Sequence, residues 1–315
     1  MTLEPPAPPT AFSEPEPEPR RPPQWRGAFA SLGIGVGAAL LGLLPWIITG
    51  MRLPLQNLWA FDTLPGDMPI AFLPFSQYTV TTVMGMLVVG WVAAGIATRA
   101  LAARLPSAAP FSVAAGLLLV QIVAIAQAAQ ALDWGLRPIS EASFYLVACV
   151  AVAFGLIAFV LVSRAPRAGA VIGLVLGALA ADWWIHAFFP PVGIVPIGAD
   201  YTAALTVLRW VPPVLVGAAI AWGGVRTTGR IIAAVVGILL LWVVPPLATA
   251  VTSAVGSRVL LSSAPDMLDY GWGVFRMALL MPELALPPVI VAVVVAALGI
   301  GISIRGFAAT RSAGE

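Results

Sequence analysis

The sequence contains no lysine, one cysteine and one histidine, and only 10% of its 315 residues are charged. Each scarcity excludes something. A soluble domain carries roughly a quarter charged residues, so this chain cannot cover a water-facing surface and must use lipid as its main solvent. The lone Cys149 has no partner for an intramolecular disulfide, and inside its apolar run it reads as a small packing residue. The lone His186 excludes bis-histidine haem ligation and any multi-histidine metal site, so no metal or cofactor is expected. Also missing are a Walker A loop, H-E-x-x-H, G-x-S-x-G and paired C-x-x-C. A nucleotide-driven pump or a familiar intramembrane hydrolase is therefore not expected. No helix carries arginine at every third residue, as a voltage sensor requires. The net charge of +2 is small and scattered, and it does not point to nucleic acid.

What is present is hydrophobic: 60% of the residues. Apolar runs fall at 27–49, 78–98, 111–131, 143–163, 169–189, 203–224, 231–254 and 280–304. Each approaches the ~20 residues that cross ~30 Å of hydrocarbon. The expected fold is an all-α, polytopic transmembrane bundle of about eight spans over residues 27–304. The run at 203–224 is the weakest, because Arg209 lies within it. Residues 1–26 interleave prolines with Glu4, Glu14, Glu16 and Glu18, which predicts an extended, disordered leader. Its P-x-x-P spacings fit either a solvated tail or a docking peptide. The run from Gly27 is too long for a secretory signal and reads as a retained first helix. Residues 305–315 form a short tail.

Orientation follows from the arginines. Arg20, Arg21, Arg26, Arg99, Arg104, Arg164, Arg167, Arg226, Arg230, Arg305 and Arg311 fall on one side of the alternating spans. Arg52, Arg137, Arg209, Arg258 and Arg276 are spread over longer loops on the other. The positive-inside rule then places both termini in the cytoplasm, in a cytoplasmic membrane. The richness in alanine, glycine, proline and arginine, with no lysine, fits a GC-rich bacterial genome. Most acids, including Asp62, Asp67, Asp182, Asp266, Asp269 and Glu283, lie toward the outer side.

Polar residues within the spans are the functional candidates. Asp182 and His186 are spaced i, i+4 on the fifth span, so their side chains can meet. Helical rise puts Arg209 at a similar depth on the next span, so an Asp182–Arg209 ion pair is expected, in an outward-opening cluster with His186. The competing reading is that these groups snorkel to water at the interface. Gln127 and Gln130 lie one turn apart on the third span, with Gln121 deeper; they fit either a permeation path or hydrogen bonding between helices. Gly169, Gly173 and Gly177 form a stripe for close helix approach. Gly33, Gly35 and Ala38 match G-x-G-x-x-A, but inside a span; helix packing through Gly33 and Gly37 is expected instead. Pro-Pro pairs at 190–191, 212–213, 245–246 and 287–288 suggest broken or kinked helices, the last three pairs in the outer half.

Three functions fit these residues. The first is a transport or permease-type protein, with a small-solute or ion path through the outer cluster. The second is a membrane scaffold or accessory subunit, with a membrane-protein partner or a second copy besides the bilayer itself. The third, an enzyme acting on a lipid-linked substrate through Asp62 and Asp67, lacks a catalytic motif. A transporter should line a water-accessible cavity with Gln127, Gln130, Asp182 or His186. A scaffold should bury those groups against the chain or present them outward.

Overall fold

In hydrocarbon a helix satisfies its own backbone groups, and most of the described residues follow that rule. The computed structural model describes residues 24–53, 69–76, 78–131, 138–189, 199–257, 259–260 and 263–312. The helices are α1 (Gln24–Ile48), α2 (Val80–Ala100), α3 (Ala109–Ala131), α4 (Pro138–Arg164) and α5 (Arg167–His186). They continue with α6 (Ala199–Leu208), α7 (Val211–Gly223), α8 (Thr228–Gly256), α9 (Ala264–Leu279) and α10 (Pro282–Ser312). Among the described residues eight spans are long and apolar enough to cross a membrane, α6 and α7 together making one of them. Among the described residues there is no strand, only an isolated bridge between Arg52 and Ile70. The Pro/Glu-rich leader up to residue 23 and Pro190-Pro191 lie outside the described residues.

Two elements differ from a plain reading of eight unbroken runs, the first beside a Pro-Pro pair expected to break or kink its helix. The sixth span breaks at Arg209-Trp210, between α6 and α7. Pro212 and Pro213 follow the break, in the first turn of α7, where a missing N–H costs least. The pairs Pro245-Pro246 and Pro287-Pro288, by contrast, lie inside α8 and α10, which continue through them. The second difference is α9, a helix where the sequence reads as a loop. Asp266, Asp269, Gly273 and Arg276 fall along one of its faces, with Leu268, Val274 and Phe275 on the other. A Ser263 side chain accepts from the Asp266 backbone N–H at its start. Gly271 lies against Ala254 and Ala250, and the Trp242 indole donates to the Leu279 carbonyl at 3.2 Å, so α9 folds back along the end of α8.

The helix ends sort into two faces. Arg99 donates to the carbonyls of Val162 and Ala165, Arg164 sits 4.6 Å from the Phe111 ring centre, and Gly27 packs on Pro106. These contacts gather the start of α1, the α2–α3 turn and the α4–α5 turn at one "arginine end". The α1–α2 connection and α9 lie at the opposite "loop end".

Lipid tails are as apolar as leucine, so helices associate through close packing and internal hydrogen bonds, not through burial from water. α5 is the hinge of the arrangement. A Cβ at Gly173 would come within 2.7 Å of Val162 on α4, and one at Gly177 within 2.6 Å of Val92 on α2. On its other side Val175 packs with Ile220 of α7 and Leu241 of α8 in a second core. On α1 the close approaches differ from the expectation: Gly33 and Gly37 face open space. Gly35 meets the backbone of Val113 and Leu117, and Gly42 the backbone of Met86 and Gly90. The face of α1 turned to α2 and α3 is the one that carries Gly35 and Gly42, not the one that carries Gly33 and Gly37.

Candidate functional site

The loop end of the α1–α4 half is closed by the chain itself. Residues 69–76 turn into the bundle, and Leu53, Ala71, Leu73 and Phe75 are buried in one core cluster with Met86 and Phe144. Backbone bonds Leu53 N–H to Pro69 O (3.1 Å) and Ala71 N–H to Met51 O (2.9 Å) tie the two ends of the connection together. The Trp46 indole donates to Ala71 O at 2.7 Å. Gln127 supplies the clamp from α3: its Oε1 accepts from Phe72 N–H at 2.7 Å, and its Nε2 donates to Ile70 O at 2.9 Å. A primary amide matches a backbone peptide group donor to acceptor, so one glutamine satisfies a non-helical segment that lipid could not. At the start of α2 the Thr79 hydroxyl accepts from Ser76 N–H at 2.7 Å.

Deeper in the same half, Gln121 is buried. Its Oε1 accepts from the Trp91 indole at 3.0 Å, and its Nε2 donates to Leu87 O at 3.0 Å. Gln130, one turn beyond Gln127, is exposed on the surface of α3. The two glutamines expected to share a path therefore divide, one turned to residues 69–76, the plug of the loop end, and one to the outside.

On α5, His186 and Asp182 do meet. The His186 Nδ1 lies 3.5 Å from Asp182 Oδ1 and 2.7 Å from the Asp182 backbone carbonyl. Both side chains are about one-third exposed, at 38% and 34%. Since a carbonyl only accepts, the short contact is one in which the His186 Nδ1–H donates to the Asp182 carbonyl. Arg209 does not join them. It sits at the break between α6 and α7, exposed, with its guanidinium 4.5 Å from the Trp210 ring centre. Among the described residues no Asp182–Arg209 ion pair forms. Helical rise matched the depths, but the break in the sixth span and the stacking on Trp210 turn Arg209 away. Glu283 is in the first turn of α10, and is exposed.

The bundle also holds a groove of about 390 Å³ between α2, α4, α5 and α8. Met84, Val150, Phe154, Leu179, Trp183 and Ala248 line it. None of Gln121, Gln127, Gln130, Asp182, His186 or Arg209 does. It is an apolar feature, unlike the water-lined cavity that a path through those residues requires.

Sequence reasoning missed three contributors. Trp91 was hidden because an indole in an apolar run has no periodic signature of its own partner. The inward turn of residues 69–76 had a signal, since Ile70, Phe72, Leu73 and Phe75 make a loop too apolar for water. The polar stripe Asp266, Asp269, Arg276 at helical spacing marked α9. No protein-family model matches this chain, and no curated protein or solved structure matches it.

Proposed function

We propose that this multi-pass membrane protein is an embedded scaffold or accessory subunit, with no solute path of its own. The observation that carries this reading is Gln127. The residue best placed for an outer vestibule spends both ends of its amide on the backbone at Ile70 and Phe72, in the segment whose Ala71, Leu73 and Phe75 are buried in the core. Gln121 is likewise committed to Trp91 and Leu87. A group on a permeation path must exchange partners with the solute, whereas these hold the fold. With the arginine end in the cytoplasm, following the positive-inside rule, the plug closes the external mouth of the α1–α4 half. The membrane is then the bacterial cytoplasmic membrane, with both termini inside.

The test is thiol accessibility. With Cys149 replaced by alanine, single cysteines at positions 127, 182, 186 and 209 are probed on whole cells with a membrane-impermeant reagent. On the scaffold reading, 127 stays unlabelled while an outer-loop control labels, and Arg209→Cys, at an exposed break, labels alone or with its α5 neighbours. Labelling of 127 at the rate of the control overturns it. Reconstituted vesicles give a second readout, since a scaffold adds no solute flux.

Transport keeps one specific support. The sixth span is interrupted at Arg209-Trp210, and interrupted helices line the sites of many transporters. On that reading the path runs beside α5 at Asp182 and His186, and labelling at 182 and 186 would be blocked by the transported solute.

A further inference from the structure

The apolar groove has a shape, a depth and a polar head that point to one kind of occupant. Its foot is closed. Toward the arginine end α4 lies tight on α5, where Gly173 takes Val162 and Ala158, and α8 lies tight on α5, where a Cβ at Gly237 would stand 3.1 Å from Val175. Further up, α5 carries Leu176, Leu179 and Trp183 in place of glycine, α8 passes through Pro245-Pro246, and the helices separate. The side is open. Leu146, Val150 and Phe154 on α4 face Leu247 and Val251 on α8 across the gap, and all five are exposed to the surrounding hydrocarbon.

The depth matters for the identity of the occupant. The lining on α5 runs from Leu176 to Trp183, about 10 Å at 1.5 Å per residue, and reaches about 15 Å with the turn up to His186. That is half of the ~30 Å hydrocarbon layer. A transmembrane helix from a second copy or another protein needs a seam along the full span, and here the seam stops midway. A hydrocarbon chain from a single leaflet needs half.

The head supplies the charge complement. His186 lies seven residues beyond Leu179 and so continues the face of α5 that lines the groove, with Asp182 one turn below it on the flank. The Nδ1 proton is committed to the Asp182 carbonyl at 2.7 Å. What the pair offers outward, each side chain about one-third exposed, is carboxylate oxygens with an imidazole beside them. Their complement is a cation with several N–H donors. A primary ammonium has three; a quaternary choline nitrogen has none.

We propose that the groove binds one hydrocarbon chain of a membrane phospholipid from the leaflet at the loop end, with a primary-amine headgroup seated on Asp182 and His186. The site uses neither the plug nor the break in the sixth span, but it takes the two residues, Asp182 and His186, that the transport reading assigns to a solute path.

The test uses the full-length protein in nanodiscs of mixed phosphatidylethanolamine and phosphatidylcholine. The probe is a phosphatidylethanolamine with a photoactivatable diazirine in its acyl chain, and crosslinked peptides are mapped by mass spectrometry. Crosslinks should concentrate on the α4 and α8 lips, around Val150 and Val251, over the open face of α10 around Val294. Unlabelled phosphatidylethanolamine should compete roughly tenfold better than phosphatidylcholine, the scale of one charge-assisted hydrogen bond. Asp182→Asn should bring that preference close to parity while leaving the crosslink position unchanged. Ala248→Trp should fill the groove and abolish the crosslinks. If that variant does not fold, Val150→Trp at the exposed rim carries the same test. Equal labelling at Val294 and Val150 overturns the site and leaves only ordinary boundary lipid. Absence of labelling at the lips, with Val294 labelled, overturns it in favour of a protein segment covering the groove.

Discussion

The indole of Trp91 and the amide of Gln121 form a buried pair 30 residues apart in sequence, joined at 3.0 Å between α2 and α3. Neither has water to fall back on. Trp91 is fully enclosed, with its ring against Gly155 on one side and Phe159 edge-on at 5.6 Å, and Gln121 passes the connection on to Leu87 O. Replacing Gln121 with leucine leaves the indole N–H without its acceptor while keeping a similar volume. The Leu87 carbonyl keeps its helical bond, so the loss is mainly one donor. Hydrogen bonds between membrane helices are worth from about 0.6 to ~2 kcal/mol, and this one is dry and doubly connected. Gln121→Leu should destabilise the bundle by about 1–2 kcal/mol, read as an earlier midpoint in mixed-micelle unfolding. An unchanged midpoint would mean that the pair is incidental to the packing of the surrounding rings.

Gln127 gives a prediction about local order. Ala71 is fully buried in the plug, between the Trp46 indole and the two bonds of the Gln127 amide. In a Cys149→Ala background, Ala71→Cys should therefore resist a water-soluble thiol reagent. Adding Gln127→Ala removes both bonds to 70 and 72 and leaves non-helical backbone groups seeking water. Labelling at position 71 should then rise by about tenfold, the effect of losing ~1.4 kcal/mol of local closure. Equal protection with and without Gln127 would shift the closure to the apolar contacts of Leu53, Leu73 and Phe75 alone.

The contrast between these two glutamines marks how much was legible in advance. Helix number and position follow from the length of apolar runs, because hydrocarbon thickness sets that length regardless of packing. The partners of polar groups are different, because they depend on rotations about helix axes that no single-span pattern specifies. Asp182 and His186 sit on one helix and meet as their spacing dictates. Asp182 and Arg209 sit on two, and matching depth did not bring them together. Gln127 was visible as a polar group in an apolar face. That its partner is a folded-in loop depends on residues 69–76 entering the core, a long-range event.

Arg99 links topology to stability. Its guanidinium donates to Val162 O and Ala165 O at the end of α4, and lies 5.7 Å from the Trp222 ring centre. The last carbonyls of a helix have no partners of their own, and the planar fork serves two at once. Arg99→Ala should cost about 1.5–3 kcal/mol, the range for bonds to a charged donor. Arg99→Lys should recover part of this, since a lysine brings charge without the fork. Orientation should survive both changes, because Arg104, Arg164, Arg167, Arg226 and Arg230 keep the bias of that end. Thermal unfolding of the purified variants checks the ranking, and an Arg99→Lys variant as stable as the native protein would remove the argument for two-carbonyl capping.

The glycines of α1 separate a sequence pattern from the surface that uses it. Gly33 and Gly37 share a face at i, i+4, as packing glycines do, yet a Cβ at either would meet nothing within 4 Å. Gly35 and Gly42, seven residues apart, also share a face, and that face carries the contact. Gly35 touches the Val113 carbonyl on α3 and Gly42 the Met86 carbonyl on α2, so any side chain there collides with backbone, which cannot rotate away. Overpacking a well-filled interface costs about 1–3 kcal/mol even where side chains can yield. Gly35→Leu and Gly42→Leu should each exceed that range and push α1 off its neighbours, lowering the yield of monodisperse protein. Gly33→Leu and Gly37→Leu should change stability by less than about 0.5 kcal/mol, as surface substitutions do. Since leucine favours helix over glycine by most of a kcal/mol, a slight gain at these two positions is the expected sign. A loss at Gly33 or Gly37 as large as that at Gly35 would place a second, unseen helix on the open face of α1, and crosslinking between cysteines at positions 33 and 37 of neighbouring copies would then identify it.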